Sequence, residues 1–290
     1  MSAYPVLREY REAAAAPASG SILTWLQGFG PEARGEVRRI GARLLPLPAE
    51  GDAARGLWLH QETPRDDPQG HPKLHAATGR APAGWRAPDL AVFLLDPVTP
   101  KARTGLAEAL TRCGEDTLCV VLGRAGLDAV AVHAMLEPHT RARLAMFETD
   151  GPEPQSPSHL AWALLASLYL DNVICLDFED LRTILPGTGI ARWYRRGEGL
   201  ERLRTDLPSI AGHAKAIGLF CGVVAREDRA REAFETLGEA VMKEVESWEA
   251  AGVPTTMTAA CLIDARGFHG REAFVFCTSC TSQALNRKPL

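Results

Sequence analysis

Residues 158–170, Ser158-His-Leu-Ala-Trp-Ala-Leu-Leu-Ala-Ser-Leu-Tyr-Leu170, are apolar almost all round a helical wheel. A surface helix carries one apolar stripe, so a helix with almost no polar face has to be enclosed on every side. The run predicts a helix buried between two domains. A short polar break follows, and the chain then carries two acids, Asp177 and Asp180, where a new helix begins. Carboxylates in a first helical turn suit the positive end of the helix dipole, and the i, i+3 spacing sets both on one face. Helix capping is the plain structural account of this pair, and a role at a functional site is the alternative.

A chain of 290 residues, 46% of them hydrophobic, can bury one large core or two smaller ones. It contains no apolar run of the roughly 18–20 residues that cross a bilayer, and its first residues lack the apolar segment of a secretory signal. A cytoplasmic location is the expectation. Seven cysteines, an odd number scattered along the chain, fit reduced thiols better than a disulfide framework. The net charge of −4 gives no support for nucleic-acid binding, which calls for a basic face.

In chain order, residues 1–20 read as a short polar helix or arm and a linker. Ser21 to Leu26 reads as a buried strand, Gln27-Gly-Phe-Gly-Pro31 as a turn, Glu32 to Ala42 as a helix with Pro31 at its first position, and Leu44 onward as a second strand. Strand, glycine-bearing turn, helix and strand make a nucleotide-type βαβ opening. A phosphate cradle needs backbone amides that can approach the anion, whereas Phe29 carries a side chain and Pro31 has no N–H. Residues 60–88, with Pro64, Pro68, Pro72, Pro82 and Pro88, read as a long proline-rich loop, and His60, His71 and His75 as solvent-facing residues rather than metal ligands. Pro88 to Leu95 is a buried strand, Lys101 to Arg112 a helix, and Thr117 to Leu122 a further strand. One helix near 129–143 and a loop lead to the buried helix. Beyond the acids, a strand near 185–194, a helix from Leu200, a strand to Val224, a long amphipathic helix from Arg226 to Glu249, and a closing hairpin of Thr255 to Asp264 and Glu272 to Thr278 complete the pattern. Cys277-Thr-Ser-Cys280 is a CxxC without the second pair that a structural zinc site needs.

The words Leu176-Asp-Phe-Glu-Asp-Leu-Arg-Thr183 resemble the catalytic loop of the bacterial division GTPase FtsZ, in the FtsZ/tubulin superfamily. Asp177 and Asp180 match that loop's two acids, and Cys175 stands where the family has Asn. Gly212-His-Ala-Lys-Ala-Ile-Gly218 and the ending around Asp264 resemble further FtsZ segments, and the order of elements matches from roughly residue 21 to 280. The resemblance implies an α/β protein with a Rossmann-like GTPase-type domain (21–156), a central helix (157–172) and a C-terminal α+β activation-type domain with four strands (173–282), between an N-terminal arm (1–20) and a short tail (283–290).

Where FtsZ has its glycine-rich nucleotide signature, this chain reads Asp96-Pro-Val-Thr-Pro-Lys-Ala-Arg103, with Pro97 and Pro100 and no glycine. Gly28, Gly30, Thr99 and Lys101 are what remains of a nucleotide cleft, and no metal site is expected. The family's enzyme is split, since one subunit holds GTP while the acids of the next align water against the γ-phosphate. This chain keeps the acids and lacks the cradle. The resemblance therefore implies a pseudo-GTPase acting as a cytoskeletal, cell-division or membrane-remodelling interaction protein. Its partners would be FtsZ or further copies of itself, with no nucleic acid and no insertion into a membrane. The alternative is an active GTPase that polymerises, uses GTP and magnesium, and employs Asp177 and Asp180 on water.

Overall fold

The computed structural model describes residues 11–12, 22–44, 56–62, 73–79, 81, 84–95, 99–124, 132, 143–149, 157–169, 176–185, 187–194, 199–211, 216–263 and 272–279. Among the described residues eleven strands form one mixed sheet: β1 (Arg11–Glu12), β2 (Leu23–Phe29), β3 (Leu57–Glu62), β4 (Lys73–Thr78), β5 (Leu90–Leu95), β6 (Leu118–Arg124), β7 (Arg143–Thr149), β8 (Gly187–Tyr194), β9 (Ile217–Ala225), β10 (Thr255–Ile263) and β11 (Glu272–Ser279), in spatial order β1-β4-β3-β2-β5-β6-β7-β8-β11-β9-β10. Only β3 and β11 run against the common direction. Strands such as β5, Leu-Ala-Val-Phe-Leu-Leu, are buried at every position, as parallel strands with helices on both faces must be.

Helices cover both faces. On one lie α1 (Pro31–Leu44), α3 (Pro157–Tyr169) and α4 (Phe178–Ile184), which share a core with Leu26, Val92, Leu122, Phe220 and Phe276. On the other, α2 (Pro100–Leu110) packs on Trp25, Phe93 and Val121 in the first half of the sheet. There α5 (Gly199–Ala211) and α6 (Glu227–Ala250) pack on Leu219, Cys221 and Val275 in the second half.

The apolar run folds as α3, and eleven of its thirteen residues are buried. Its polar ends are held by buried partners. The Ser158 amide donates to the Glu36 carboxylate of α1 at 2.9 Å, and the Tyr169 hydroxyl donates to Thr24 Oγ1 at 2.6 Å. The Arg43 guanidinium lies 3.9 Å over the Trp162 ring. Thus α3 bridges α1 and the face of β8, where Trp162 meets Trp193 edge to face at 6.1 Å. The mixed α/β class is as expected, and four strands (β8 to β11) follow the central helix. These four continue the first half's sheet, because β7 and β8 pair in parallel from Ala145↔Gly187 to Thr149↔Ala191.

Six readings are corrected. Leu44 closes α1 instead of opening a strand. The next described strand, β3, runs antiparallel to β2, so β2, α1 and β3 do not form a parallel βαβ unit. Residues 60–88 are not all loop, since β3 and β4 pair there with His60 opposite His75. His60 is buried and meets Trp85 edge to face at 5.3 Å; His71 lies outside the described residues. Arg11 and Glu12 form a short strand on β4, not a helix. Finally, β10 and β11 are not a hairpin, since β11 inserts between β8 and β9 and leaves β10 on the far side of β9. Strand β7 and the β3–β4 pair were not anticipated.

Candidate functional site

The chain reverses its direction of travel across the sheet between β2 and β5. From β2 it proceeds to β3 and β4 on one side, and from β5 to β6, β7 and β8 on the other. Helix α1, which follows β2, lies on one face, and α2, which follows β5, lies on the opposite face. A reversal of this kind opens a crevice beyond the carboxyl ends of two parallel strands, where ligands of open α/β sheets bind. Gly28 and Gly30 stand at the end of β2, and Thr99 and Lys101 at the start of α2. The two strands are aligned up to Phe29↔Leu95, so the fold brings these four residues to one crevice.

The glycines there have local causes. A Cβ at Gly28 would lie 2.4 Å from the Ala33 carbonyl carbon and 2.6 Å from the Arg34 amide nitrogen, so its absence lets α1 rest on the strand. Gly30 has φ 114°, the left-handed side that favours glycine, and its carbonyl accepts from the Arg34 amide at 3.1 Å. Phe29 does not obstruct the crevice as expected from the sequence. It is buried on the α2 face, 5.6 Å from the Phe93 ring, and packs under Gly105.

The amides at the two helix starts are few. Pro31 and Pro100 occupy the first helical positions of α1 and α2 and supply no N–H. At α2 the Thr99 hydroxyl accepts from the Ala102 amide at 3.2 Å, and the Thr99 carbonyl accepts from the Arg103 amide at 3.0 Å. Glu32 adds an exposed carboxylate in the first turn of α1. Lys101 and Arg103 are exposed cations on the first turn of α2. Asp96, Pro97 and Val98 lie outside the described residues.

The acid pair belongs to a different edge. Asp177 is the N-cap of α4 and accepts from the Glu179 amide at 3.0 Å, Asp180 sits in the first turn, and both side chains are exposed. This helix is anchored at the amino ends of the parallel strands. Arg182 lies 2.9 Å from Glu179 and 3.7 Å from Asp116 in the turn before β6. The Thr278 hydroxyl at the end of β11 donates to the Ile184 carbonyl at 2.7 Å. Gly218 at the start of β9 lets that carbonyl approach, since a Cβ there would meet it at 2.2 Å. The carboxyl half of α4, the helix that Asp177 and Asp180 begin, is therefore fixed at the amino ends of the parallel strands, and Gly28, Gly30, Thr99 and Lys101 stand beyond the carboxyl ends of β2 and β5. Cys175 and Cys280 lie outside the described residues.

One residue of structural weight was not anticipated. Glu36 is buried on α1 and receives the first amide of the central helix. A glutamate set between Ala33, Val37 and Ile40 on the apolar face of an otherwise basic helix is the signal that could have found it. Among the described residues no group of three or more His, Cys, Asp or Glu side chains could hold a metal ion.

No protein-family model matches the chain, and no curated protein matches it in sequence. Among solved structures it is similar to GDP-bound monomeric CetZ1 from Haloferax volcanii, at 13% identity over 67% of this chain and 66% of that one, with a TM-score of 0.38. It is also similar to the TubZ-Bt two-stranded filament, at 6% identity over 66% and 59% and a TM-score of 0.39. A third similar structure is a GTPγS-form protofilament of TubZ from Bacillus thuringiensis serovar israelensis, at 8% identity over 66% and 60% and a TM-score of 0.37. These are tubulin/FtsZ-superfamily proteins, and the match spans about three fifths to two thirds of their lengths.

Proposed function

We propose that this protein is an FtsZ-like pseudo-GTPase that works by docking, with Asp177 and Asp180 presented to the crevice edge of a neighbouring FtsZ-type subunit or of a second copy. The observation that carries this reading is the paired loss of donors at the crevice. Both helices that begin there have proline at the first position, and the Thr99 hydroxyl takes the Ala102 amide that an anion would need. A phosphate at a helix start is held by free amides as well as by the dipole, and here Glu32 opposes it. The scarcity of free amides at these two helix starts supports a crevice that holds no triphosphate, and the proposal uses neither GTP nor magnesium.

The placement of the acids supports docking. The helix that carries the acids is fixed at the amino ends of the strands and the crevice opens at the carboxyl ends of β2 and β5, so docking joins them between stacked subunits rather than within one copy. Asp177 and Asp180 both face solvent on a short helix fixed to the sheet at Asp116 and Thr278. The partner is a protein; nucleic acid and membrane insertion play no part. Among the described residues no helix is long and apolar enough to cross a membrane. A cytoskeletal, division or membrane-remodelling role follows from docking of this kind.

A second reading, an active polymerising GTPase with Asp177 and Asp180 orienting water, is favoured by the free exposure of both carboxylates. Co-sedimentation with FtsZ filaments, and light scattering of the protein alone, test the docking reading. The native chain should change filament mass or scatter by itself, and Asp177→Ala with Asp180→Ala should abolish either effect while the circular dichroism stays native. Unchanged effects in the folded double variant would remove it.

A further inference from the structure

Among the five described cysteines, Cys119, Cys221, Cys261 and Cys277 are buried and Cys113 is half-buried. Cys113 stands in the turn that joins the end of α2 to β6, and Cys119 is the second residue of β6. Cys119 lies on the face of the sheet that α2 covers, in one core with Leu106, Ala109 and Leu110, and Cys113 packs against that core from outside. The turn thus returns one sulfur to the other. The Cys113 thiol donates to the Ala109 carbonyl at 3.6 Å, and the Cys119 thiol hydrogen-bonds to Cys113.

The two positions differ in what they allow. Cys119 is fixed inside the ladder, paired with Ala91 of β5 and Leu144 of β7. The contact with Cys113 and burial hold its thiol well above the ordinary thiol range, so it stays protonated and away from solvent. Cys113 belongs to a short turn, held by its own amide on the Leu110 carbonyl at 3.1 Å and by the Gly114 amide on Thr117 Oγ1 at 2.8 Å. A turn can adjust where a ladder cannot. An accessible sulfur beside a second, resolving sulfur is the arrangement of redox-responsive cysteines. Cys221 and Cys277, which lie diagonally across β9 and β11, are both buried and give an oxidant no entry.

We propose that Cys113 and Cys119 form a reversible oxidation site, at which hydrogen peroxide converts the two thiols to a disulfide that ties the end of α2 to β6. The Cys113 sulfur attacks the peroxide. An S–O bond forms as the O–O bond breaks, and the departing hydroxide leaves as water with the Cys113 proton. The Cys119 sulfur then attacks the sulfenic acid on Cys113. The S–S bond forms, the S–O bond breaks, and a second water leaves with the Cys119 proton. Two thiols are oxidised and one peroxide is reduced to two waters, and a small dithiol reverses the change by exchange. The site uses neither the crevice nor Asp177 and Asp180, so it stands apart from the docking reading.

Peptide mass gives the test, because Arg112 and Arg124 are tryptic sites that bracket both cysteines in one peptide, residues 113–124. The full native chain is treated with hydrogen peroxide, quenched with catalase, denatured in excess iodoacetamide and digested. The peptide should carry no alkyl group and be two hydrogens lighter than its unmodified dithiol form, and dithiothreitol before alkylation should give it two alkyl groups. In Cys113→Ser treated in the same way, Cys119 should remain an alkylatable thiol, and in Cys119→Ser, Cys113 should pass on to sulfinic acid. Two alkylated cysteines in the peroxide-treated native chain, sulfinic acid on Cys113 beside a free Cys119, or Cys113 joined to another cysteine would overturn the proposal. These outcomes are read on the native chain and stand whether or not either variant folds.

Discussion

Gly28 and Gly35 sit seven residues apart and call for opposite outcomes on substitution. A methyl group at Gly28 would enter the backbone of α1, with three atoms inside 2.7 Å, whereas at Gly35 the nearest atom is the Arg39 guanidinium at 3.8 Å. Gly28→Ala should therefore cost about 1–3 kcal/mol, as overpacking does, and Gly35→Ala should add up to about 1 kcal/mol by removing a glycine from a helix interior. Urea midpoints of the two variants check this, and equal midpoints would contradict the packing account. From the sequence, Gln27-Gly-Phe-Gly-Pro31 reads as a strand-to-helix turn with a weak phosphate signal in Gly28-Phe-Gly30, and the structure adds that the first glycine serves helix packing and the second a left-handed backbone. His60 was illegible for a related reason. Prolines at 64, 68 and 72 break every local period, so nothing near it announced a strand pair with residues 73–78.

Helix α4 is seven residues long and begins at an acid whose oxygen receives the Glu179 amide. Asp177→Ala should cost about 0.5–2 kcal/mol through the lost cap, while Asp180→Ala, which loses only a dipole interaction, should cost about 0.3–1 kcal/mol. Thermal melts of the single variants measure both, and a larger loss for Asp180 would mean that the capping assignment is wrong. This start was legible because an Asp before an apolar helical period is a local signal. The order of the last strands was not. Neighbours in sequence are also neighbours in a sheet about two times in three, and here β11 breaks that habit by lying between β8 and β9, where Thr278 reaches both Gly218 and Ile184. Such a long-range choice leaves no mark on spacing.

For the molecule as a whole, the buried thiols make stability depend on alkaline pH. Burial pushes Cys221 and Cys277 up to about 12 and Cys261 up to about 11, against about 8.5 for a free thiol. A raised folded value means that the contribution is fully present below the unfolded value and is lost as pH rises through the folded one. The denaturation midpoint should thus fall from about pH 8.5 towards pH 12, and Cys221→Ala with Cys277→Ala should flatten that slope. An unchanged slope would place these thiols in contact with solvent. The α/β class and the enclosed central helix were legible in runs of apolar residues. The continuity of the sheet through β7 and β8 was not, because β7 lies in a stretch that the sequence pattern gives to helix and loop.

The proposed absence of nucleotide from the crevice between β2 and β5 is open to calorimetry of the purified full chain with GTP and with GDP, in magnesium. No heat of binding at high micromolar nucleotide is the result expected from Pro31, Pro100 and the self-capped Thr99. Binding of either nucleotide would contradict it, and GTP turnover that disappears in Asp177→Ala would assign the protein to the enzymes.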